Sequence, residues 1–331
     1  MHDFTVLLLP DSYGSAVSAT LDMLDAAAAL APGLGAPQPR WRVVAPGGGA
    51  VRLGNGMTVQ AAPLPRQGTA AARRDGSVWV VPGLGMRRAE DLARRLAGDD
   101  ARQAARALAR HAANGGAVAA GCSAVFLLQA AGLLKARRVT TTWWLAATLR
   151  GIEPDCTVDA DRMVCSDGPV HTAGAAFAQA DLMLHLLRLR CGAPLAEAVG
   201  RVLLIDGRQA QAPYVMPALM AGGHELIRRL SAHIEAALPT PPGVAALARA
   251  FAMSPRTLSR QVRAATGHGT LALVQQVRLH RARALLEGSR LSIEQIAAQV
   301  GYEDATALRR LMRKRTGAPP SRFRRAAAAA G

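Results

Sequence analysis

Short apolar runs alternate with longer, mixed segments in the first part of the chain. The segments between the runs, such as 16–30 and 90–113, predict helices. Apolar strands that alternate with helices predict a mostly parallel, doubly wound α/β sheet, in which ligands bind at the carboxyl ends of the strands. The runs with the length of a buried strand are residues 4–9, 41–45, 77–81 and 117–120.

Two turn-forming segments interrupt this alternation. Residues 163–172 carry Asp167 and Gly168 between two β-prone runs, which predicts a hairpin. Pro46 and the three glycines after it lack the GK[ST] of a phosphate-binding loop. We therefore interpret them as a plain turn after a strand.

From residue 225 onwards the spacing of the apolar positions predicts mainly helices. Ser254 and Pro255 have the residue types of an N-cap and a first helical position, so a helix is predicted to begin there. A longer helix is predicted over 271–287. The apolar positions flanking this start are Val244, Leu247 and Phe251 before it and Leu258 and Val262 after it.

A second start follows at Ser292, where the sequence Ser-Ile-Glu-Gln has the spacing of a capping box. Gly301 is predicted to end that helix, and another is predicted over 305–315. The positions expected to face inward are Ile293, Ile296 and Val300 in the first of these helices and Leu308, Leu311 and Met312 in the second.

These two stretches are copies of one unit, offset by 50 residues. Residues 254–267 read SPRTLSRQVRAATG, and residues 304–317 read DATALRRLMRKRTG. Each copy is an arginine-bearing helix that follows an apolar helix and a short turn, which predicts a helix-turn-helix. Two copies predict two recognition helices on one chain.

Charge supports this interpretation. Residues 226–331 carry 18 Arg and Lys against 5 Asp and Glu, whereas residues 1–225 carry 22 against 18. The excess of +17 is therefore concentrated in the last third of the chain. Because phosphates attract such a surface and release counterions when neutralised, nucleic acid is favoured over a merely solvated basic face.

Length and composition place further bounds. A chain of 331 residues, half of them hydrophobic, predicts two domains with sizeable cores. No run approaches a membrane span, and the run 4–9 is too short for a signal peptide. The four cysteines lack metal-like CxxC spacing, so we predict reduced thiols in the cytoplasm, with no metal and no cofactor.

The most informative spot in the first domain is the segment 119–126, Ala-Ala-Gly-Cys-Ser-Ala-Val-Phe. A strand of small residues enters Gly121, Cys122 and Ser123 and continues directly into an apolar helix, which is the pattern of a nucleophile elbow. Such a turn would favour a thiolate at the helix N-terminus. The alternative is a small apolar side chain that fills a tight turn, since no histidine follows closely.

Residues 3–190 resemble the PfpI-type, class I glutamine-amidotransferase-like proteins, which implies a flavodoxin-like fold. The segments that carry the resemblance are FTVLLLP at 4–10, VWVVPG at 78–83, AGCSAVFLLQAAGLL at 120–134, VTTTWWL at 139–145 and SDGPVHTAGAAFAQADLMLHLL at 166–187. Enzymes of that fold have an acidic residue where this chain has Ala16, and relatives often have histidine at Thr142. Both departures argue against catalysis.

Residues 226–325 resemble the AraC/XylS-type DNA-binding domain. MSPRTLSRQVRAATG, VRLHRARALL and LSIEQIAAQVGYEDATALRRLMRKRTGAPPSRFRR appear in the family's order. Leu308 and Met312 stand where aromatic residues are usual. The resemblance implies base contacts from Arg256, Ser259 and Arg260 in the first unit and from Thr306, Arg309 and Arg310 in the second. Arginine suits this role because it donates two hydrogen bonds to guanine.

The whole pattern resembles the GlxA-type regulators, in which the first domain is expected to sense a small molecule or support dimerisation. We predict a sequence-specific, double-stranded-DNA-binding transcriptional regulator, a homodimer without enzymatic activity. The alternative is a cysteine hydrolase or amidotransferase-like enzyme fused to a DNA-binding module. An effector would bind near Cys122 and Ser123, with Asp11, Ser12 and Thr142 as neighbours. The predicted domains are a sensor or dimerisation domain (1–190), a connecting region (191–225), a DNA-binding domain (226–325) and a tail (326–331).

Overall fold

The structure is a computed structural model that describes residues 2–65, 75–86, 91–205, 225–266, 268–316 and 319–323. The chain divides into two compact units, Met1–Arg208 and Gln209–Gly331. The predicted tail and most of the predicted connecting region lie outside the described residues.

The first unit contains a mixed sheet of eight strands with the order β3-β4-β2-β1-β5-β6-β10-β9. Pairing is parallel from β4 through β10, and only the two edge strands, β3 and β9, pair antiparallel. A separate short parallel pair is formed by β7 and β8. The strands are β1 (Phe4–Leu7), β2 (Trp41–Ala45), β3 (Gly49–Arg52), β4 (Thr58–Pro63), β5 (Val78–Val81), β6 (Val118–Gly121), β7 (Arg138–Val139), β8 (Thr157–Val158), β9 (Val164–Asp167) and β10 (Val170–Ala173).

Helices cover both faces of this sheet, as the predicted doubly wound α/β fold requires. One apolar cluster contains Trp79 and Phe126, and the other contains Phe4 and Leu24. The central strands β1, β5, β6 and β10 are buried along their whole length, which explains why β1, β5 and β6 are almost entirely apolar, whereas β10 also buries His171 and Thr172. The helices are α1 (Gly14–Leu30), α2 (Asp91–Leu96), α3 (Asp99–Ala113), α4 (Val125–Ala130), α5 (Ala146–Ile152), α6 (Ala178–Cys191) and α7 (Ala193–Val202).

The predicted strands and the hairpin at 163–172 are confirmed, and one further hairpin was missed. The glycines after Pro46 form a turn, with Gly48 and Gly49 at φ angles of 65° and 76°. That turn leads directly into β3 and β4, which pair as a hairpin. Most of the residues of these two strands are exposed, so they lack the apolar run that identifies the buried strands.

Two predictions of segment boundaries differ from the structure. The single helix predicted over 90–113 is two helices, because Gly98 adopts an extended conformation and serves as the N-cap of α3. The first part of the predicted connecting region, 191–225, is the helix α7. Leu195 and Val199 of α7 pack in the second cluster of the α/β unit, so that unit extends past residue 190.

The second unit is helical and has two cores that share one helix. Its helices are α8 (Glu225–Ala236), α9 (Val244–Ala250), α10 (Pro255–Thr266), α11 (Thr270–Gly288), α12 (Ile293–Gln299) and α13 (Ala305–Thr316). The early part of α11 contributes Leu273 and Val277 to a core with α8, α9 and α10. Its later part contributes Ala282 and Leu286 to a core with α12 and α13.

The predicted helix starts of this unit are confirmed. The Thr257 N–H donates to the Ser254 hydroxyl over 3.1 Å at the start of α10. Ser292 and Gln295 form a complete capping box at the start of α12. Leu258, Val262, Leu308 and Met312 are buried as expected, whereas Leu311 is only half-buried. Within the described ranges, every helix is too short or too polar to cross a membrane.

Candidate effector site and DNA-binding surface

The elbow predicted at Cys122 is present at the carboxyl end of β6. Cys122 has a φ of 54°, a strained conformation for a residue with a side chain, and a short 3-10 helix, Cys122–Ala124, leads into α4. Gly83 lies directly against this residue, since a Cβ on that glycine would approach the Cys122 Cβ to 3.0 Å. The turn therefore holds the cysteine at the carboxyl ends of the parallel strands, where α/β proteins bind ligands.

Burial dominates the electrostatics of the elbow and acts against the thiolate that the turn alone would favour. Cys122 is 1% exposed, and this burial raises the pKa of its thiol to about 11. The amide and hydroxyl of Ser123 and the hydroxyl of Thr142 oppose the rise without reversing it. The thiol is therefore protonated near neutral pH, and it is a poor nucleophile in this state.

Most hydroxyl groups around the elbow are used to hold the backbone. Ser123 donates to the Leu84 carbonyl over 2.6 Å, Ser12 donates to the Leu9 carbonyl over 2.8 Å, and Thr141 donates to the Cys122 carbonyl over 2.8 Å. Ser12 and Leu84 also form a β-bridge. The predicted neighbours Ser12 and Ser123 are thus joined through the segment 83–86, which packs on the elbow.

Thr142 differs from these neighbours. Its side chain is fully buried, and apart from its contact with the Cys122 thiol its Oγ1 has no hydrogen-bond partner among the described residues. A thiol is a weak hydrogen-bonding group, so this hydroxyl recovers little of the hydration that it loses on burial. Thr142 is therefore the side chain of the predicted site with capacity left for a ligand.

Gln179 of α6 is a site residue that sequence reasoning missed. Its Nε2 donates to the Thr20 hydroxyl over 2.9 Å, while its buried Oε1 has no partner among the described residues. That oxygen lies over the elbow, 2.5 Å from where a Cβ on Gly121 would stand. The only indication in the sequence is one glutamine within the apolar stretch AGAAFAQADLM.

The histidines that could have supported the cysteine hydrogen-bond other groups, and the positions where an acid could have stood are buried or point outward. The His111 ring hydrogen-bonds the Ser77 carbonyl and stacks on Trp79. His171 contacts Ser166 and His185, and burial lowers the pKa of His171 to about 4. Ala16 is buried in α1, and Asp11 is exposed at a φ of 62°. Among the described residues, no three His, Cys, Asp or Glu side chains are placed to hold a metal ion.

In the first helix-turn-helix unit, the predicted base-reading side chains lie on the outer face of α10. Arg256 and Arg260 are exposed, and neither has an acidic partner among the described residues. Ser259 is half-buried, and its hydroxyl accepts a long hydrogen bond from Thr270 at 3.5 Å. Leu258 and Val262 anchor the opposite face of the helix in the core.

The second unit places its side chains in the same way but surrounds them with acids. The Thr306 N–H donates to Asp304 Oδ1 over 2.8 Å at the start of α13. Arg309 is ion-paired at 2.7 Å with Glu294 of α12. Arg310 is exposed and forms no salt bridge among the described residues, although it helps to lower the pKa of Asp304 through its charge. Arg309 stands at the repeat position of Ser259, and unlike the exposed arginines of α10 it is partly neutralised.

Comparisons with known proteins agree with this division. A family described as "Helix-turn-helix domain" matches residues 247–326, and the DJ-1/PfpI family matches residues 42–189. The HTH-type transcriptional regulator GlxA of Rhizobium meliloti is 30% identical over 88% of this chain and 87% of its own length. The HTH-type transcriptional regulator CdhR of Pseudomonas aeruginosa is 27% identical over 86% of this chain and 81% of its own.

The chain belongs to the AraC-type regulators that carry a DJ-1/PfpI domain. A crystal structure from Vibrio parahaemolyticus covers 61% of this chain and all of its own, with 18% identity and a TM-score of 0.50, which indicates a shared fold. The predicted fold class and the predicted function as a DNA-binding transcriptional regulator are thereby confirmed.

Membership in this regulator family also gives meaning to two departures from its usual sequence. Leu308 and Met312 replace aromatic residues on the recognition helix of the second unit, and both are fully buried beside Ile296 and Val300. The core of that unit thus accepts flexible aliphatic side chains in place of rings. The regulator keeps its packing although the usual residues are absent.

Proposed function

We propose that this regulator reads its operator with α10 and α13 and is controlled by a small-molecule effector bound at the elbow of the α/β unit. The observation that carries the first part is the repeat itself. Arg260 and Arg310 occupy equivalent positions, and both are exposed and form no salt bridge among the described residues. Exposed cations on two helices of this type suit two adjacent major grooves.

The proposed base contacts are Arg256, Ser259 and Arg260 from α10 and Thr306, Arg309 and Arg310 from α13. Arg313 and Lys314 lie further along α13, and we assign them to phosphate contacts, which position the protein without reading sequence. A salt titration of the full chain on operator DNA tests the electrostatic part. We expect the logarithm of the affinity to fall linearly with the logarithm of the salt concentration, by about 0.9 for each phosphate neutralised.

The effector site rests on Thr142. Its hydroxyl, which contacts only the weakly bonding Cys122 thiol, and the N-terminus of the turn at Cys122 supply donors that suit a carboxylate or carbonyl oxygen. Gln179 Oε1 supplies an acceptor on the other side of Gly121. Cys122, Ser123 and Thr142 are at most 2% exposed, so an effector must open the elbow in order to enter. Binding would then be coupled to a conformational change, as regulation requires.

Replacing this hydroxyl tests the site. Thr142→Val removes a buried polar atom that has only a weak thiol partner and keeps the shape of the side chain, so we expect the unliganded protein to be about as stable as the parent. The same variant should lose the response of DNA binding to the effector. Thr142→Ser, which keeps the hydroxyl, should retain the response. If Thr142→Val still responds fully, the effector site lies elsewhere.

Calorimetric titration of candidate carboxylates, with and without operator DNA, measures the coupling. Linkage requires the DNA to change the affinity for the effector by the factor by which the effector changes the affinity for DNA. Trp143 is adjacent to Thr142 in the chain and half-buried, so its fluorescence supplies a second signal of binding. An effector that binds with equal affinity in both titrations would not be a regulator of this protein.

We further propose that the α/β unit does not act as an enzyme. Support comes from the raised pKa of Cys122 and from His111 and His171, whose rings are hydrogen-bonded to Ser77 and Ser166. A nucleophile without a positioned base gains little reactivity. Steady turnover of an amide or ester substrate that is abolished by Cys122→Ser would favour the alternative, a cysteine hydrolase with a DNA-binding module.

The remaining parts of the proposal concern assembly and location. We propose a homodimer that acts in the cytoplasm, where its DNA is found. Sedimentation equilibrium of the full chain tests the assembly, and a monomer at micromolar concentration with operator DNA present would contradict it.

A further inference from the structure

Arg278 occupies an unusual position in the helical unit. It lies on α11 between the residues that pack in the first core, such as Val277, and those that pack in the second, such as Leu279. Its guanidinium does not extend into solvent but turns toward the end of α12. The Nε group donates to the Val300 carbonyl over 2.7 Å, and the Nη2 group donates to the Gly301 carbonyl.

The same guanidinium also covers an aromatic ring. Its carbon lies 3.5 Å from the centre of the Tyr302 ring, a close cation–π contact. The carbonyls at the end of a helix lack partners within the helix and carry its negative dipole end. A cation with two donors and a flat face fits this position, so Arg278 fixes the turn between α12 and α13 to α11.

A second contact holds the same turn from the other side. Gly301 has a φ of 81°, and a Cβ at this residue would stand 2.1 Å from the Pro239 carbonyl oxygen and 3.1 Å from Pro241. Both prolines follow α8, whose residues Ile227 and Leu230 belong to the core of the first helix-turn-helix unit. The turn between α12 and α13 is therefore held between α11 and the segment that follows α8.

We propose that Arg278, Gly301 and Tyr302 form a clamp that sets the distance and angle between the two recognition helices. Arg278 acts as a positioning residue, because it fixes α13 relative to α10 through the protein and does not itself read DNA. The clamp makes the regulator selective for the spacing of its two contact sites along the duplex. Spacing selectivity follows from geometry, since successive major grooves face one side of the duplex only once per helical turn.

The test uses the full chain and a duplex selected by this chain from a random pool, with one base pair then inserted between the two contacted segments. For the parent protein, we expect the insertion to weaken binding severely. Arg278→Met should weaken binding to the original duplex about tenfold, because one recognition helix is no longer held in place. The same variant should lose most of its preference for the original spacing over the inserted one.

Three further measurements separate positioning from other roles. The slope of affinity against salt should not change in Arg278→Met, whereas loss of a phosphate contact would reduce it by about 0.9. Tyr302→Leu should relax the spacing preference in the same direction but less, which guards against a variant that merely fails to fold. Arg281→Met removes an exposed arginine one turn along α11 and should leave the preference intact. An unchanged spacing preference in folded Arg278→Met, or a salt slope reduced by one contact, would overturn the proposal.

Discussion

The two helix-turn-helix units are built on the same sequence pattern, yet they hold their arginines differently. In the first unit, Arg256 and Arg260 stand exposed without acidic partners among the described residues. In the second, Glu294 pairs with Arg309, and Asp304 caps the recognition helix. The repeat keeps the buried Leu258 and Leu308 and the exposed Arg260 and Arg310, but it has Ser259 in the first unit where the second has Arg309. The repeat therefore predicts equal packing but only partly equal contacts with DNA.

The largest expected effects concern the shared scaffold. Leu258→Ala and Leu308→Ala remove equivalent side chains, both fully buried. Each should lower the free energy of unfolding of the helical unit by about 2–5 kcal/mol, because each leaves a cavity. Chemical denaturation followed by circular dichroism measures this loss. Leu271→Ala, at a side chain 63% exposed, is the matched control and should change stability little.

A large difference in the free energy of unfolding between Leu258→Ala and Leu308→Ala would contradict the conclusion that the two units pack equally. It would show that one unit contributes most of the stability and that the other is held only through α11. Equal losses would sharpen the comparison, since any functional difference between the units would then lie on their surfaces.

The next effects concern DNA. Arg260→Ala and Arg310→Ala should each weaken binding to the operator by roughly 1–3 kcal/mol, whereas Arg309→Ala should cost less because Glu294 already neutralises part of that charge. Fluorescence anisotropy with labelled operator at fixed salt measures the three losses. Arg290→Ala, at an exposed arginine that precedes α12, controls for the general loss of one positive charge. If Arg309→Ala costs as much as Arg260→Ala, the ion pair opens when DNA binds.

Much of this architecture could be predicted because buried strands and helices leave strong apolar patterns in the sequence. The central strands β1, β5 and β6 are almost entirely apolar, and the two units repeat their leucines, so both could be placed from the chain alone. The hairpin of β3 and β4 was missed because its residues are mostly exposed. Exposed strands carry little periodic information.

The chemistry of the candidate sites was harder to predict. The elbow could be located from Gly121 and Cys122, but the state of the thiol depends on how completely other segments cover it. The role of Thr142 depends on its having only a weak thiol partner, and that of Arg278 depends on carbonyls 22 and 23 residues away in the chain. Contacts of this kind are made by tertiary packing and leave no local pattern.

Smaller effects should follow from the helix caps. Ser292 exchanges two hydrogen bonds with Gln295, and Ser254 accepts one from the Thr257 backbone. We expect Ser292→Ala and Ser254→Ala each to lower the free energy of unfolding by about 1 kcal/mol, because each removes a hydroxyl that accepts from a backbone N–H. Ser292→Thr, which keeps the hydroxyl, should restore most of the loss. Gln295→Ala removes the reciprocal bond from the Ser292 N–H, and no loss in that variant would mean that this bond contributes nothing.

The smallest expected effect tests the asymmetry directly. Glu294→Gln removes the carboxylate that faces Arg309, and the guanidinium becomes available to the DNA. Both side chains are about half exposed, at 46% and 63%, so the pair itself is weak. We therefore expect binding to the operator to tighten by only about 0.2–1 kcal/mol, together with a steeper dependence on salt.

A double-mutant cycle separates this release from the simple removal of a negative charge near DNA. In an Arg309→Ala background, Glu294→Gln should have no more effect than Glu303→Gln, which neutralises an exposed acid just before α13. If Glu294→Gln tightens binding equally with and without Arg309, the carboxylate acts only by repelling phosphates at a distance. The two units would then differ in their overall electrostatic potential and not in whether one arginine is available to contact DNA.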